Sequence, residues 1–174
     1  MNRSDDLFMF LKKHLSSEEG IEPNQFYLVS FDFRISSNAP TGCAGVGGSP
    51  GDSVYRKAGG STDEPLASLA EAGEVRLTID KGQQSVGGRD AGVAGTIANG
   101  KTCDGQSWPY ISFRTEYAHP FPVRTDDRAV LWLIAGTDSA YEGLTGLYFE
   151  SITVRLSPSV QATGRASSAS RPRQ

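Results

Sequence analysis

Residues Ala129–Leu156, AVLWLIAGTDSAYEGLTGLYFESITVRL, decide the fold. The run Leu131-Trp132-Leu133-Ile134 is uninterrupted apolar sequence ending at Gly136, which reads as a buried strand. Thr137-Asp138-Ser139 follows as a polar turn, with Glu142 and Gly143 beyond it, and the chain returns through Leu147-Tyr148-Phe149. Alternate positions of a strand face the same side. From Tyr148 onward, Glu150, Ile152, Val154 and Leu156 therefore share one face. That phase sets a carboxylate in line with core residues, where it needs a hydrogen-bonded partner or a cation. The competing reading is a bulge that turns Glu150 outward. Either way the stretch predicts a strand, a polar loop and a second strand closing a β-sandwich.

Outward from this pair, strand candidates recur at short intervals between turn residues. They are Leu7–Leu15, Phe26–Ile35, Ser53–Ala58, Glu74–Ile79, Gly92–Ile97, Tyr110–Tyr117 and Phe121–Arg124, followed by Ala129–Ala135 and Leu147–Leu156. The second alternates cleanly, with Tyr27, Val29, Phe31, Phe33 and Ile35 on one side and Leu28, Ser30 and Asp32 on the other. Only Glu64–Glu71 (EPLASLAE) carries a short helical pattern. Two stretches, Ser36–Asp52 and Lys81–Asp90, are too rich in glycine and turn residues for regular structure, and long loops of this kind are often functional. The expected architecture is all-β, a two-sheet jelly-roll sandwich over residues 1–157, with a disordered polar tail at 158–174.

Composition narrows the function classes. The chain has 174 residues, enough for one well-buried domain, with 20 glycines and 9 prolines that favour strands and turns. A net charge of −3 argues against nucleic acid, which leaves a basic footprint. No apolar run approaches the roughly 20 residues of a membrane helix, so no transmembrane segment is expected. The start, MNRSDDLFMFLKK, has no charged, apolar and small-residue plan of a signal peptide. A strand begins after only six residues, so an N-terminally truncated chain is one reading of this start and a true N-terminus is the other.

Cys43 and Cys103 lie in glycine-rich or polar sequence. They read either as two free thiols or as one disulfide closing a loop of about 60 residues, which the chain-entropy model values at roughly 4 kcal/mol. A disulfide would imply an oxidising compartment.

The segment Gly47-Gly48-Ser49-Pro50-Gly51 matches G-x-S-x-G, but in that elbow the N–H after the serine builds the oxyanion hole, and Pro50 has none. No dinucleotide fingerprint, phosphate-binding loop or zinc motif is present. His14 and His119 stand in no recognisable catalytic setting. Among carboxylates, Asp138, Glu142 and Glu150 fall near the ends of neighbouring strands, where oxygen ligands for Ca²⁺ gather. For ligand contact the candidates are Trp108, Tyr110, Tyr117 and Tyr141, because an aromatic face suits the C–H surface of a sugar ring. Each also has a plain reading as core or edge packing.

With SNAPTGCAGVGGSPGDSVYRKAG, TIDKGQQSVGGRDAGVAGTIAN and LWLIAGTDSAYEGLTGLYFESITVRL in view, the chain resembles a family of uncharacterised bacterial proteins with galactose-binding-like β-sandwiches. The resemblance spans about Asp5 to Leu156 and implies a periplasmic, secreted or lipid-anchored location, with further chain and an export signal upstream. It assigns no activity. A looser similarity to carbohydrate-binding jelly rolls implies a structural calcium near the final strand, at the place Glu150 occupies.

The resulting expectation is a non-catalytic binding module at the bacterial envelope or exterior, with a glycan or an envelope protein as partner. The alternatives are a structural or protein-interaction domain without small ligand, and a hydrolase using Asp138 and Glu142 for acid–base chemistry.

Overall fold

The computed structural model describes residues 7–69, 75–105 and 109–159. In chain order the strands are β1 (Leu7–Leu15), β2 (Phe26–Ser37), β3 (Val54–Ser61), β4 (Ala67–Leu69), β5 (Val75–Leu77) and β6 (Gly82–Gln83). They continue with β7 (Val86–Gly87), β8 (Ala91–Thr96), β9 (Ile111–Ala118), β10 (Val123–Arg124), β11 (Leu131–Ser139) and β12 (Leu147–Ser159). A 3₁₀ turn, Ser17–Glu19, is closed by a capping box between Ser16 and Glu19. The described residues hold no α-helix, so none is long and apolar enough to cross a membrane.

Two antiparallel sheets dominate. The first runs β1-β11-β3-β8, and the second runs β10-β2-β12 with β9 also paired to β2. β9 covers Ser30–Ser37 of β2 and β10 covers Phe26–Tyr27, so the two share one edge in tandem and the second sheet is only three strands wide. The alternation of β2 sets the core between the sheets. Tyr27, Val29, Phe31, Phe33 and Ile35 are each at most 4% exposed. They meet Leu131, Leu133 and Ala135 of β11, with Leu15, Ala58 and Ala94 beside them. Each large side chain buried here contributes about 1.5–3 kcal/mol.

A smaller apolar cluster lies on the opposite face of the first sheet. Ile134 meets Ile79 and Ala91 there, with Phe8, Phe10 and Leu77 at its border. The segment after β3, carrying the β4–β5 and β6–β7 hairpins, supplies this cover.

Several expectations need correction. β11 and β12 are not a hydrogen-bonded pair. β11 lies between β1 and β3, whereas β12 crosses to the second sheet beside β2. Thr137-Asp138-Ser139 is not a turn but the end of β11, with Asp138 flanked by Phe8 and Tyr55. The helical pattern of Glu64–Glu71 yields to strand pairing, since Ala67–Leu69 pairs with Val75–Leu77. Ala70 and Glu71 lie outside the described residues. Lys81–Asp90 holds a short hairpin. β12 runs to Ser159, and the tail beyond it lies outside the described residues.

The phase of β12 is also corrected. Its register shifts between Phe149 and Ser151, leaving Glu150 as the extra residue of a bulge. Leu147 and Phe149 therefore join Ile152, Val154 and Leu156 on the core side. Tyr148 and Glu150 turn outward.

Candidate functional site

The sequence candidates scatter. Trp108 lies outside the described residues. Tyr110 is 44% exposed and forms an edge-to-face pair with Tyr148, ring centroids 4.9 Å apart. Both rings border a groove shared with Met9, Leu11 and Leu147. Tyr117 points inward from β9 against Phe31, and its hydroxyl reaches Nδ1 of His119 at 3.2 Å. That hydroxyl crosses to the facing sheet so closely that Gly92 has no room for a Cβ. Burial raises the phenol above its ordinary value. Tyr141 packs against the small cluster of Ala39, Val54 and Ile97.

The three proposed metal ligands occupy unlike settings. Asp138 is fully buried and ion-paired to Lys81 at 2.9 Å and to Lys57 at 3.8 Å. Glu142 is exposed on the loop after β11. Glu150 stands on the bulge 3.5 Å from Nε of Arg34. Hydrogen bonds from Ser36 and then Ser112 hold its carboxyl below the usual value. Among the described residues no group of three or more His, Cys, Asp or Glu side chains is arranged to hold a metal ion. Asp138 and Glu142 likewise do not face each other across a cleft, because Asp138 is sealed. Cys43 and Cys103, 60 residues apart, are joined as a disulfide, beside the bridge between Thr41 and Thr102.

A cleft of about 670 Å³, at the end of the sheets where β2 begins and β3 ends, was not anticipated. Asn24, Thr62, Asp63, Asp80, Arg89, Asp90, Arg124 and Asp126 supply most of its polar lining. Turn chemistry builds its walls. Asp80 accepts from the N–H groups of Gly82 and Arg89 at 3.0 and 2.9 Å, while Asp90 accepts from the Asp80 N–H at 2.8 Å. This clasp closes the base of the β6–β7 hairpin. On the facing wall Asp126 accepts from the N–H groups of Val130 and Arg128 at 2.8 and 3.0 Å. Thr125 is bonded to Glu22 and Gln25 and anchors that wall to the start of β2.

The electrostatics are specific. Backbone N–H donors, from Arg89 first for Asp80 and from Val130 first for Asp126, hold both carboxyls below their ordinary values. Both therefore stay ionised acceptors at neutral pH. Asp63 and Arg89 are exposed at the cleft, and neither side chain has a hydrogen-bond or ion-pair partner among the described residues. Behind Arg89, the buried His119 is fixed by its neighbours: Nε2 donates to the Arg89 carbonyl at 2.8 Å and Nδ1 accepts from Tyr117. Burial lowers the imidazole below its usual value. Phe121, 49% exposed and edge-on to His119, directly precedes the lining residues Pro122 to Asp126.

Sequence reasoning missed this cleft because its residues come from five separate turns. The available signal was the placement of Asp80, Asp90 and Asp126 in turn-rich sequence within two residues of a strand candidate, with Asp63 in the connection between two of them.

Compared with known proteins, the chain matches no family, no curated protein and no solved structure.

Proposed function

We propose that this protein is a non-catalytic binding module for a hydroxyl-rich ligand, a glycan or comparable polyol, held in the polar cleft. The observation that carries this reading is that a carboxylate, Asp63, and a guanidinium, Arg89, line the same polar cleft, neither of them in a hydrogen bond or ion pair among the described residues. Planar groups of both signs accept from and donate to neighbouring hydroxyls, and Phe121 supplies a nearby apolar face for a sugar ring. Acid–base catalysis favours a carboxyl whose value is raised toward neutrality, whereas Asp80 and Asp126 are shifted the other way.

The finer fold reading is a jelly-roll of the galactose-binding-like kind. It is supported by a chain that passes repeatedly between the sheets, with β1, β3, β8 and β11 in one and β2, β9, β10 and β12 in the other. A location at the bacterial envelope or exterior is supported by the Cys43–Cys103 disulfide.

The test is a glycan-array screen on the chain, followed by titration of Arg89→Ala and Asp63→Ala. Loss of a glycan signal by at least tenfold in both, with Tyr110→Ala unaffected, is the expected result. No bound glycan, or binding that depends on Tyr110 and not on the cleft, defeats the proposal.

One observation favours the second reading, a protein-contact domain. Leu7, Met9 and Leu11 face the narrower sheet yet remain 36%, 58% and 58% exposed, beside the outer edge of β12, to which no strand among the described residues pairs. An extended segment with apolar residues at alternate positions would pair with that edge and cover the row. Under that reading Leu11→Glu, and not Arg89→Ala, abolishes the protein's binding activity.

A further inference from the structure

Lys57 and Asp138 form a buried pair whose geometry goes beyond an ordinary ion pair. They lie on adjacent antiparallel strands, β3 and β11, on the face away from the main core. Lys57 is opposite Gly136, and Asp138 is opposite Tyr55. Both side chains are 0% exposed. Gly136 presents no side chain between Phe10 and Lys57, and the backbone of β1 leaves no room there for a Cβ. Lys57 therefore reaches along the strand toward Asp138, under the β6–β7 hairpin and next to the apolar cluster of Ile79, Ile134 and Phe10.

The hydrogen bonds around the pair are unequal. Nζ of Lys57 donates to the carbonyls of Val86 at 2.7 Å and Lys81 at 3.0 Å. An ammonium has three hydrogens, so one is left for Asp138, whose Oδ2 is 3.8 Å away. That Oδ2 already accepts from Nζ of Lys81 and from the Gln84 N–H, both at 2.9 Å. Oδ1 accepts from nothing, and it is the one buried side-chain N or O atom without a partner among the described residues. A buried orphan of this kind calls for a cause.

We propose that Lys57 and Asp138 join autocatalytically in an intramolecular isopeptide bond that ties β3 to β11. The chemistry balances without a cofactor. As Nζ closes on the carboxylate from its resting 3.8 Å, the third hydrogen of the Lys57 ammonium passes to Oδ1, leaving a neutral amine and a neutral carboxylic acid. Nζ then attacks Cγ, and the negative charge that develops on Oδ2 is met by the Lys81 ammonium and the Gln84 N–H, an oxyanion-hole arrangement. A second proton moves from Nζ to the Oδ1 hydroxyl, the Cγ–Oδ1 bond breaks, and one water leaves. Lysine and aspartate thus give one amide and one water, with no oxidation or reduction.

The product explains what the ion pair does not. The amide oxygen, formerly Oδ2, keeps both of its donors. The amide N–H keeps the Val86 carbonyl. The atom that leaves is the orphan. Burial also favours the nucleophilic form, since desolvation lowers the Lys57 ammonium below its ordinary value.

The experiment is the intact mass of the folded full chain after reduction of Cys43–Cys103 and transfer to denaturant. The expected mass is below that of the sequence by one water, with a protease map yielding a single branched fragment that contains Lys57 and Asp138. Lys57→Met should restore the mass calculated for its own sequence. Full sequence mass in the folded wild-type chain overturns the proposal, and so does a water lost at any other position. None of these outcomes depends on whether the polar cleft binds a glycan.

Discussion

Arg56 shows how a single residue sets local energetics. It points between the sheets, 3% exposed, and donates to the Thr96 carbonyl and to Oγ1 of Thr115. Its guanidinium lies 5.7 Å from the Phe33 ring, and no carboxylate among the described residues pairs with it. Burial alone pulls its value down to about 10. A buried charge without a counter-ion is costly to desolvate, and a shape-matched apolar side chain removes that cost. Arg56→Met should therefore leave stability within about 1 kcal/mol of wild type or raise it, as measured by urea denaturation. Thr115→Val, which removes an acceptor and keeps the charge, should cost about 1–3 kcal/mol. The buried His119 adds a pH dependence. The unfolded chain takes up its proton near the ordinary value of 6.5, and the folded chain only at lower pH. Its stabilising contribution is thus complete above that value and is lost as pH falls through and below it. Urea midpoints should fall between about pH 7.5 and 5.5 in the wild type, and this part of the fall should vanish in His119→Gln.

At the scale of elements, what the sequence revealed was set by local pattern, and what it concealed was set by contacts from afar. The period-two run of β2 was legible because its inner side faces one environment along its length. The bulge at Glu150 was one of two open readings, because one extra residue in a strand leaves no mark in composition, and it reverses the phase of everything before it. Asp138 misled for a related reason. Three polar residues after Gly136 look like a turn, yet they continue β11 because β1 and β3 supply ladders on both sides. Its carboxylate is buried by a hairpin more than 50 residues away in sequence. The disulfide loop lies between these extremes. Both cysteines were visible and their pairing was one of two readings. Joining positions 60 apart should add roughly 4 kcal/mol by loop entropy. Reduction, or Cys43→Ser with Cys103→Ser, should lower the urea-derived stability by an amount of that order. An unchanged midpoint would mean the loop is already ordered in the unfolded chain.

The whole molecule is asymmetric, and the asymmetry has a measurable gradient. One sheet is four strands wide, while the other is three, because β9 and β10 together occupy a single edge of β2. β12 is therefore the last strand of the narrow sheet, and the inner face of β1 extends beyond its cover at one end. Leu15 at the covered end is 7% exposed, whereas Leu11 and Met9 toward the other end are each 58% exposed. A cavity left by truncation carries a cost only where neighbours surround the side chain. Leu15→Ala should then cost about 2–5 kcal/mol, while Leu11→Ala, a change of the same atoms on the same strand, should cost under about 1 kcal/mol. Equilibrium urea denaturation at dilute protein concentration reads both. If Leu11→Ala proves as costly as Leu15→Ala, the inner face of β1 is covered in solution. A concentration dependence of that cost would identify the cover as a second copy of this chain, and its absence would place the cover within the same molecule.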